Sequence, residues 1–441
     1  MKIALIQPSM GGPNSSLVVE PLELAVLAAL TPAGQDVVLY DERVESIPLN
    51  AAVDLAVINV DTFTARRSYE ISQAYRSRGI PVVVIGSHVA LVPQEVSRHC
   101  DSMIIGQPYE QWAQLIADLK ADRLKREYRC AEGYVLPKGV FPRRELFKSK
   151  KYLPVTPVQF SRGCDHGCRH CICSTQDRSC RPVQDVVQEL QQQSRKTVFF
   201  TDDNICTYPQ KLKELLRQLT PLKLHWIARS SLAVLDDPEL LRLMVKSGCI
   251  GLIIGFDSIE IASIRQMDKT VNLEHCRKHY ARAIRTLHKQ GLQIWGEFTL
   301  GYDGDTVDSI LETARFAREN PFCFAFFHTL TPLPGTELYR RLQQENRLLY
   351  GGNWWLHPQY RFGHGVFKPR NMNALELKES VLCCRVDYYR YSARVKRLWM
   401  LRNVLGTPGK LSAYRKYTRL LREDIFRRQG LPLGSAAEEN T

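Results

Sequence analysis

The feature that most constrains the fold is a regular alternation of short β-branched runs with amphipathic stretches. Residues 1–122 contain five such runs: KIALIQP, DVVLYD, LAVINV, PVVVIGS and SMIIGQ. Between them lie helical patterns such as PLELAVLAAL and EQWAQLIADLKAD. Strands that alternate with helices run parallel, and wholly apolar strands are covered on both faces. We therefore predict an α/β fold in which residues 1–122 form a Rossmann-like, flavodoxin-like domain.

A second alternation follows in residues 156–340. Its strand-like runs are PVQFSR, TVFFTDD, KLHWIARS, IGLIIGF, QIWGEFTLG and FAFFHTLT, again separated by helical patterns. Six β–α units are too few for a complete eight-fold barrel, so we predict a partial (β/α)6 barrel of the TIM type. In both kinds of fold, ligands bind at the carboxyl ends of the strands. In the first domain one such end is GSHVAL, and we expect its Ser87 and His88 to contact a cofactor.

Two further segments have a different composition. Residues 123–155 are basic and punctuated by Pro and Gly, and are predicted to be a linker. Residues 341–441 are predicted to be a mostly helical extension, first aromatic and then basic. Within it, residues 385–428, the basic tail, hold 13 Lys/Arg against 3 Asp/Glu. Such a tail can lie on an anionic membrane surface, form a solvated face, or pack across an open barrel.

Charge and hydropathy restrict the class of protein. Outside the basic tail the charges nearly balance, which argues against a nucleic-acid groove through the core. No apolar run reaches the roughly 18 residues of a membrane span, and the N-terminal run resembles a strand more than a signal peptide. We expect a cytoplasmic protein, in which cysteines stay reduced and a cluster of them indicates metal binding or catalysis.

The cluster in question follows the first strand of the second alternation. In SRGCDHGCRHCICS, Cys164, Cys168 and Cys171 have a C-x3-C-x2-C spacing on a glycine-containing loop. Structural zinc usually takes two C-x-x-C-type pairs, whereas three thiolates hold a 4Fe–4S cluster and leave one iron open. We expect these three residues to be the metal ligands, with Cys173 and Cys180 as structural neighbours.

The cysteine triad at the mouth of a six-unit barrel resembles the radical S-adenosylmethionine (SAM) superfamily. The domain order, with FFTDDN, SGCIGLIIGFDSI, GEFTLGYDGDT and LTPLPGTELYRRL, resembles its cobalamin-binding-domain subgroup over nearly the whole chain. Within that subgroup it is most similar to proteins associated with hopanoid and lipid maturation. Two departures stand out: His170 replaces the usual aromatic residue before the third cysteine, and the first domain lacks the D-x-H-x-x-G motif of many cobalamin proteins.

The resemblance implies roles for polar residues at the strand ends. Beside His170, Ser87 and His88, the implied cofactor contacts are Asp202, Asp203, Asn204, Arg229, Asp257, Ser258 and Glu297. Arg229 would pair with the SAM carboxylate, since guanidinium binds carboxylate bidentately. Two alternatives remain open: the Asp–Asp–Asn run is also a possible helix N-cap, and Glu297 inside an apolar strand could form an internal salt bridge.

The resemblance also implies a reaction. The expected enzyme uses a 4Fe–4S cluster to cleave SAM to a 5′-deoxyadenosyl radical that activates an unactivated C–H bond, with cobalamin-dependent C-methylation as the outcome. The alternative is radical rearrangement or bond formation on a lipid or hopanoid-like substrate, with the cobalamin-type domain empty. An electron donor of the ferredoxin or flavodoxin type would be an external partner. A rival from another class is a metal-binding sensor whose tail contacts nucleic acid.

Overall fold

The chain forms two compact units that are both mixed α/β with parallel sheets. The computed structural model describes residues 1–12, 17–131, 133, 136–175, 178–268 and 276–434. Unit 1 combines residues 1–153 with Asn353–Phe362 and the described part of Arg427–Thr441. Unit 2 comprises Pro154–Gly352 and Gly363–Phe426.

Unit 1 is built on a six-stranded parallel sheet. Its strands are β1 Lys2–Gln7, β2 Asp36–Asp41, β3 Leu55–Asn59, β4 Val82–Ile85, β5 Ser102–Ile105 and β6 Glu127–Arg129, in the order β2-β1-β3-β4-β5-β6. The four residues of β4 and the central four of β1 are fully buried, as expected of a parallel sheet with both faces covered. The order matches the flavodoxin-like pattern, whose ligand edge lies where β1 and β3 diverge.

Within the described residues of unit 1, five α-helices accompany this sheet. They are α1 Leu22–Ala29, α2 Ala65–Arg76, α3 Ser87–Leu91, α4 Pro93–Val96 and α5 Trp112–Lys120. Apolar side chains of α1 and α5 join those of the strands in one hydrophobic cluster that includes Trp112 and Tyr128. Tyr128 lies on β6, a strand inside the segment that the sequence predicts as a linker, so part of that segment extends the sheet.

Unit 2 contains a second six-stranded parallel sheet. Its strands are β7 Thr156–Val158, β10 Thr197–Phe200, β11 His225–Ser230, β12 Cys249–Gly255, β13 Gln293–Leu300 and β14 Phe324–Thr329, in the order β14-β13-β12-β11-β10-β7. Between β7 and β10 a separate antiparallel pair forms from β8 Ser161–Arg162 and β9 Ser179–Cys180. Side chains alternate strictly along β13, which leaves one face of the strand half-buried.

The helices of unit 2 follow its strands and then continue beyond them. They are α6 Val183–Gln191, α7 Pro209–Leu219, α8 Pro238–Lys246, α9 Ile261–Met267, α10 Cys276–Lys289, α11 Val307–Glu319, α12 Glu337–Gln344, α13 Ala374–Tyr388, α14 Tyr391–Met400 and α15 Pro408–Arg428. In the part of the chain that the structure describes, no helix is both long and apolar enough to cross a membrane.

The C-terminal segments belong to the two units in a way the sequence did not indicate. Within unit 2, Leu401, Leu405 and Tyr414 of the basic tail pack against Cys323 and Phe324 beside the outer strand β14. The aromatic segment 353–362 instead joins unit 1, where Trp354 packs on Phe63 with ring centroids 5.2 Å apart. The predicted single extension over residues 341–441 is thus divided between the units.

Gly248 in unit 2 lies close to the backbone of Leu224, and this contact can be tested by substitution. Gly248 follows α8 with φ +96°, and a Cβ there would lie 1.9 Å from the Leu224 carbonyl oxygen. Gly291 follows α10 with φ +79°, but a Cβ there would meet nothing within 4 Å. We expect Gly248→Ala to lower the free energy of unfolding by about 3–5 kcal/mol and Gly291→Ala by about 1 kcal/mol.

Urea titration of both variants measures this difference. Because both positions carry the cost of a positive φ, the excess at Gly248 isolates the close backbone approach. Equal destabilisation by the two substitutions would contradict the packing of Gly248 against Leu224.

Candidate functional site

The three predicted ligand cysteines lie on a loop whose two ends are tied together. The pair β8–β9 brings Ser161 opposite Cys180 and Arg162 opposite Ser179. The described residues between these strands, 163–175 and 178, are here called the cysteine loop. Cys168 is buried, whereas Cys164 and Cys171 are half-buried, and no disulfide uses them. The amide of Cys171 donates to the carbonyl of Cys168 at 3.0 Å, which forms a turn between the second and third thiols.

Neighbouring elements hold the middle of the cysteine loop from both sides. The amide of Arg169 donates to the Met267 carbonyl at 3.2 Å, and its carbonyl accepts from the Leu338 amide at 2.9 Å. The guanidinium of Arg169 contacts Glu337 at 3.2 Å and Asp268 at 3.7 Å. The positive charge of Arg169 is therefore partly balanced by these two carboxylates.

Asp202, directly after β10, anchors the start of the cysteine loop. Its carboxylate is fully buried and accepts from the Phe160 amide at 3.1 Å, from the Ser161 amide, and from the Ser161 hydroxyl at 2.6 Å. Burial raises the pKa of Asp202 to about 6, although these hydrogen bonds act in the opposite direction. The structure thus places Asp202 against the backbone that leads into the cysteine loop, and its contact with SAM stays a prediction.

The next two residues continue the same anchoring. Asp203 accepts from the Gly163 amide at 2.9 Å and from the Cys173 thiol at 3.1 Å. Asn204 caps a short 3-10 turn by accepting from the Cys206 amide at 3.2 Å, and its amide donates to Asp165 at 3.2 Å. The N-cap alternative therefore describes Asn204, and the whole Asp–Asp–Asn run orients the cysteine loop.

The donors on the loop suit a cluster. Among the described residues, Cys164, Asp165 and His166 form a group whose ligand atoms all lie within 4.8 Å of one another, the spacing expected around a single ion. Thiolates on different corners of a 4Fe–4S cluster lie farther apart, because irons and sulfides stand between them. Three reduced thiols on one clamped loop suit such a cluster, and Cys173 lies beside them in contact with both Asp203 and Cys171.

A buried phenol beside the loop adds to this fit. Tyr302 is 3% exposed, and its hydroxyl has no hydrogen-bond partner among the described residues. Burial raises the pKa of Tyr302 well above its usual value, with Asp257 and Cys168 adding to the rise, so the hydroxyl stays protonated. Its ring meets that of His170 edge-on, with centroids 5.8 Å apart. A donor left without a partner in this position is suited to a bound group.

A polar pair lies on the half-buried face of the sheet. Arg229 on β11 and Glu297 on β13 meet at 3.5 Å, although Arg229 lies opposite Ile253 of β12 and Glu297 lies opposite Gly255. Gly255 has no side chain beside Glu297, so the two long side chains can meet diagonally over the middle strand. Glu297 therefore has the internal salt bridge that the sequence left as an alternative, with Arg229 as the partner.

Asp257 and Ser258 lie where β12 ends. Asp257 adopts φ +58° and accepts from the Thr299 hydroxyl at 3.2 Å. The Ser258 hydroxyl contacts Asp305 at 3.4 Å, and Asp305 also accepts from the amides of Gly301 and Tyr302 at 2.8 and 3.0 Å. Asp305 thus shapes the loop that carries Tyr302, a role that the sequence reasoning missed because Asp305 lies five residues beyond its strand.

His328 is a further residue that the sequence reasoning missed. It lies on β14 in register with Thr299 and stacks on Phe326, with ring centroids 6.4 Å apart. The His328 side chain is exposed to solvent. Desolvation by the surrounding protein lowers the pKa of His328, and the negative charge of Glu297 opposes this shift. The position in an otherwise aromatic run, FAFFHT, is the signal that could have identified it.

In unit 1, Ser87 and His88 follow β4 as expected, but His88 is committed to the protein. Its ring nitrogens lie 3.1 Å from the Thr62 hydroxyl and 3.3 Å from Glu95, and the side chain is fully buried. Glu95 also accepts from Trp355 at 3.0 Å and from Tyr69 at 2.8 Å. Burial alone would raise the pKa of Glu95, but these hydrogen bonds lower it. His88 is therefore a core residue and Ser87 is half-buried beside it.

The buried carboxylate of Asp202 gives a pH-dependent prediction. Its pKa, about 6 in the native state, exceeds the ordinary value of 3.8, so its contribution to stability is full below the ordinary value and is lost as the pH rises through about 6. Relative to Asp202→Asn, we expect the wild type to lose up to about 3 kcal/mol of unfolding free energy between about pH 4 and pH 7. A difference between the two proteins that stays constant over this range would contradict the assignment.

Comparison with known proteins agrees with this geometry. The model of the Radical SAM superfamily matches residues 158–317. The chain is 28% identical over 400 residues to bacteriochlorophyllide d C-12(1)-methyltransferase of Chlorobaculum tepidum, covering 87% of this chain and 86% of that protein. It is 25% identical over 450 residues to hopanoid C-2 methylase of Rhodopseudomonas palustris, covering 92% and 84%.

A solved structure supports the fold. The radical SAM methyltransferase TsrM of Kitasatospora setae, determined with cobalamin and a [4Fe-4S] cluster, superposes with a TM-score of 0.63 at 16% identity, over 88% of this chain and 85% of that one. The superfamily match lies within unit 2 and includes the cysteine loop, the Asp–Asp–Asn run and Glu297. Unit 2 therefore carries a Radical SAM domain over residues 158–317, and such a domain implies a 4Fe–4S cluster and SAM as cofactors.

Proposed function

We propose that this enzyme is a cobalamin-dependent radical SAM C-methyltransferase. The observation that carries the proposal is the clamped cysteine loop at the carboxyl end of the parallel sheet in unit 2. Similarity to two methyltransferases over most of both chains supports methylation as the outcome. When bound, the cluster and SAM supply the radical that abstracts hydrogen from an unactivated carbon, and the remaining chemistry depends on residues of this chain.

The residues of unit 2 divide into those that orient the loop and those that remain for cofactor contact. Asp202, Asp203 and Asn204 orient the cysteine loop, with Asp203 nearest to it through Gly163 and Cys173. We propose that Asp257, Ser258 and His170 contact SAM, together with the hydroxyl of Tyr302. These side chains belong to segments that the strand ends or the cysteine loop bring to one edge of the sheet.

Arg229 is suited to exchange its partner when SAM binds. Its side chain is 52% exposed and its contact with Glu297 is long, at 3.5 Å. Exposed ion pairs of this kind contribute little, about 0–1 kcal/mol, so a better-placed carboxylate can replace Glu297. We propose that the SAM carboxylate takes this place and that Glu297 is released toward the amino group of SAM or toward His328.

The half-buried face of the sheet favours a large apolar substrate. Trp295 and Phe326 lie on it beside the cluster with Leu401 and Tyr414, and His328 adds an imidazole whose pKa the surrounding protein lowers. The two relatives described above act on bacteriochlorophyllide d and on a hopanoid. We propose a substrate of this bulk, with His328 orienting its polar part, and an external electron donor of the ferredoxin or flavodoxin type in a reducing compartment.

We propose that unit 1 is the cobalamin-type domain. Its strand order leaves a ligand edge beyond β1 and β3. A Cβ on Gly86, just after β4, would lie 2.4 Å from the Asn59 side chain and 2.5 Å from the Val60 carbonyl, so this edge is closely packed and admits only glycine. Because His88 is committed to Thr62 and Glu95, a corrinoid bound here takes no imidazole from His88.

The first test concerns SAM cleavage. Under anaerobic conditions with SAM and a strong reductant, we expect the reconstituted wild type to form 5′-deoxyadenosine and Cys171→Ala to form none above a protein-free blank. The matched control is Cys173→Ala, which removes the neighbouring thiol that Asp203 holds. We expect this control to retain the activity within about tenfold, since outer contacts tune a metal site more than they form it.

Two outcomes would overturn the assignment. Equal loss of activity in both variants would make Cys173 part of the ligand set. Absence of 5′-deoxyadenosine from a wild type that holds its iron would favour the metal-binding sensor.

The second test concerns the corrinoid. Protein produced with ample cobalamin and purified without oxygen should carry about one corrinoid per chain, visible by absorbance. We expect the electron paramagnetic resonance spectrum of its Co(II) form, including any nitrogen superhyperfine splitting, to be the same in the wild type and in His88→Gln, because no imidazole comes from His88. Splitting that disappears in His88→Gln would contradict the structure, and a protein that never acquires corrinoid would favour the non-methylating alternative.

A further inference from the structure

Helix α14 has two faces of opposite character. On the inner face, Arg397 is 2% exposed and its guanidinium lies over the Tyr388 ring at 3.7 Å. Leu401, just beyond the helix, is fully buried in the cluster with Phe324 and Tyr414. This inner face anchors α14 to unit 2 and fixes which side chains point outward.

The outer face carries three large apolar side chains in solvent. Tyr391, Val395 and Trp399 are 72%, 53% and 68% exposed. Because residues four apart lie on one side of a helix, the three form a continuous row, here called the outer stripe. The buried Arg397 and Leu401 hold the inner face in place, so the outer stripe cannot turn inward without breaking those contacts.

Cations border the outer stripe at both ends. The guanidinium of Arg394 lies 5.2 Å from the centre of the Tyr391 ring, and that of Arg402 lies 4.4 Å from the centre of the Trp399 ring. Lys396 on the same helix is exposed. From position 388 to position 422 the chain has 10 Lys/Arg and no Asp or Glu. Around the outer stripe, cationic charge is therefore not balanced by acids of the same segment.

We propose that the outer stripe docks unit 2 on an anionic membrane surface. Aromatic rings with an amphipathic character settle at the headgroup level of a bilayer, and neighbouring arginines meet the lipid phosphates. A helix of ten residues is about 15 Å long, too short to span a bilayer, so it would lie in the plane of the surface. Charge complementarity favours anionic lipid over an apolar protein groove. The proposal does not depend on the reaction proposed above.

The intact protein can be tested by sedimentation with vesicles. We expect it to bind vesicles of 70% phosphatidylcholine and 30% phosphatidylglycerol, roughly an anionic bilayer surface, and not vesicles of phosphatidylcholine alone. The double variant Tyr391→Ser/Trp399→Ser should bind at least about tenfold more weakly, and Arg394→Gln/Arg402→Gln should lose about fivefold per cation at low salt. All variants should form 5′-deoxyadenosine like the wild type.

A matched control removes exposed apolar surface elsewhere. Leu375 on α13 has an exposed fraction of 56%, similar to the 53% of Val395, but it lies outside the outer stripe. Leu375→Ser should bind vesicles as the wild type does. Brominated lipids give a second readout, since Trp399 is exposed whereas the other five tryptophans are buried or half-buried. Quenching should therefore occur in the wild type and disappear in Trp399→Ser.

Several results would overturn the proposal. These are equal binding to neutral and anionic vesicles, unchanged binding by the double variant, or equal loss in Leu375→Ser. A wild type that binds duplex DNA but no vesicle would assign the cations to nucleic acid. A wild-type dimer that the double variant converts to a monomer, without vesicle binding, would assign the outer stripe to self-association.

Discussion

The site depends on one buried carboxylate. Asp202 accepts hydrogen bonds from the backbone of Phe160 and Ser161, which lie more than forty residues earlier. These groups begin the segment that becomes the cysteine loop, so their direction sets where the three thiols can point. Burial of the Asp202 carboxylate away from water raises its pKa, and the hydrogen bonds that it accepts offset only part of this rise. The protein therefore gives up stability to orient a loop, which is typical of a functional site.

The polar residues at the carboxyl ends of the strands of unit 2 have different roles. Residues directly after β10 form hydrogen bonds that hold the cysteine loop, whereas the polar side chains on β11 to β13 have fewer such contacts with it. There Gly255 leaves space beside Glu297, and the pair that Glu297 forms with Arg229 is long and half-exposed. Asp202 and Asp203 thus hold the cysteine loop through short hydrogen bonds. The pair Arg229–Glu297 is longer and weaker, so its partners can be exchanged. This contrast separates residues that position the metal from residues able to meet a ligand.

Much of the fold could be predicted from the sequence, because each strand is a local, apolar, β-branched run. The position of the cysteine loop after the first strand of unit 2 could also be predicted, since the C-x3-C-x2-C spacing of its cysteines is a local pattern. The roles of Asp202, His88 and the aromatic segment could not. Asp202 and His88 follow strands, as ligand residues do, but their partners are decided by contacts tens to hundreds of residues away. Trp355 reaches Glu95 across 260 positions of sequence, and no pattern within either segment indicates that pairing.

The basic tail shows why composition alone left its role open. Its cations were predicted to contact a membrane, to be solvated or to pack on the barrel, as though one outcome applied to all of them. The structure separates them by helical position: Arg397 is buried over Tyr388, while Arg394 and Arg402 lie over exposed rings. Within a few residues, the same guanidinium chemistry anchors one face of α14 and borders the exposed rings of the other. Because the inner contacts fix the helix rotation, the exposure of Tyr391, Val395 and Trp399 follows from the packing of unit 2 itself.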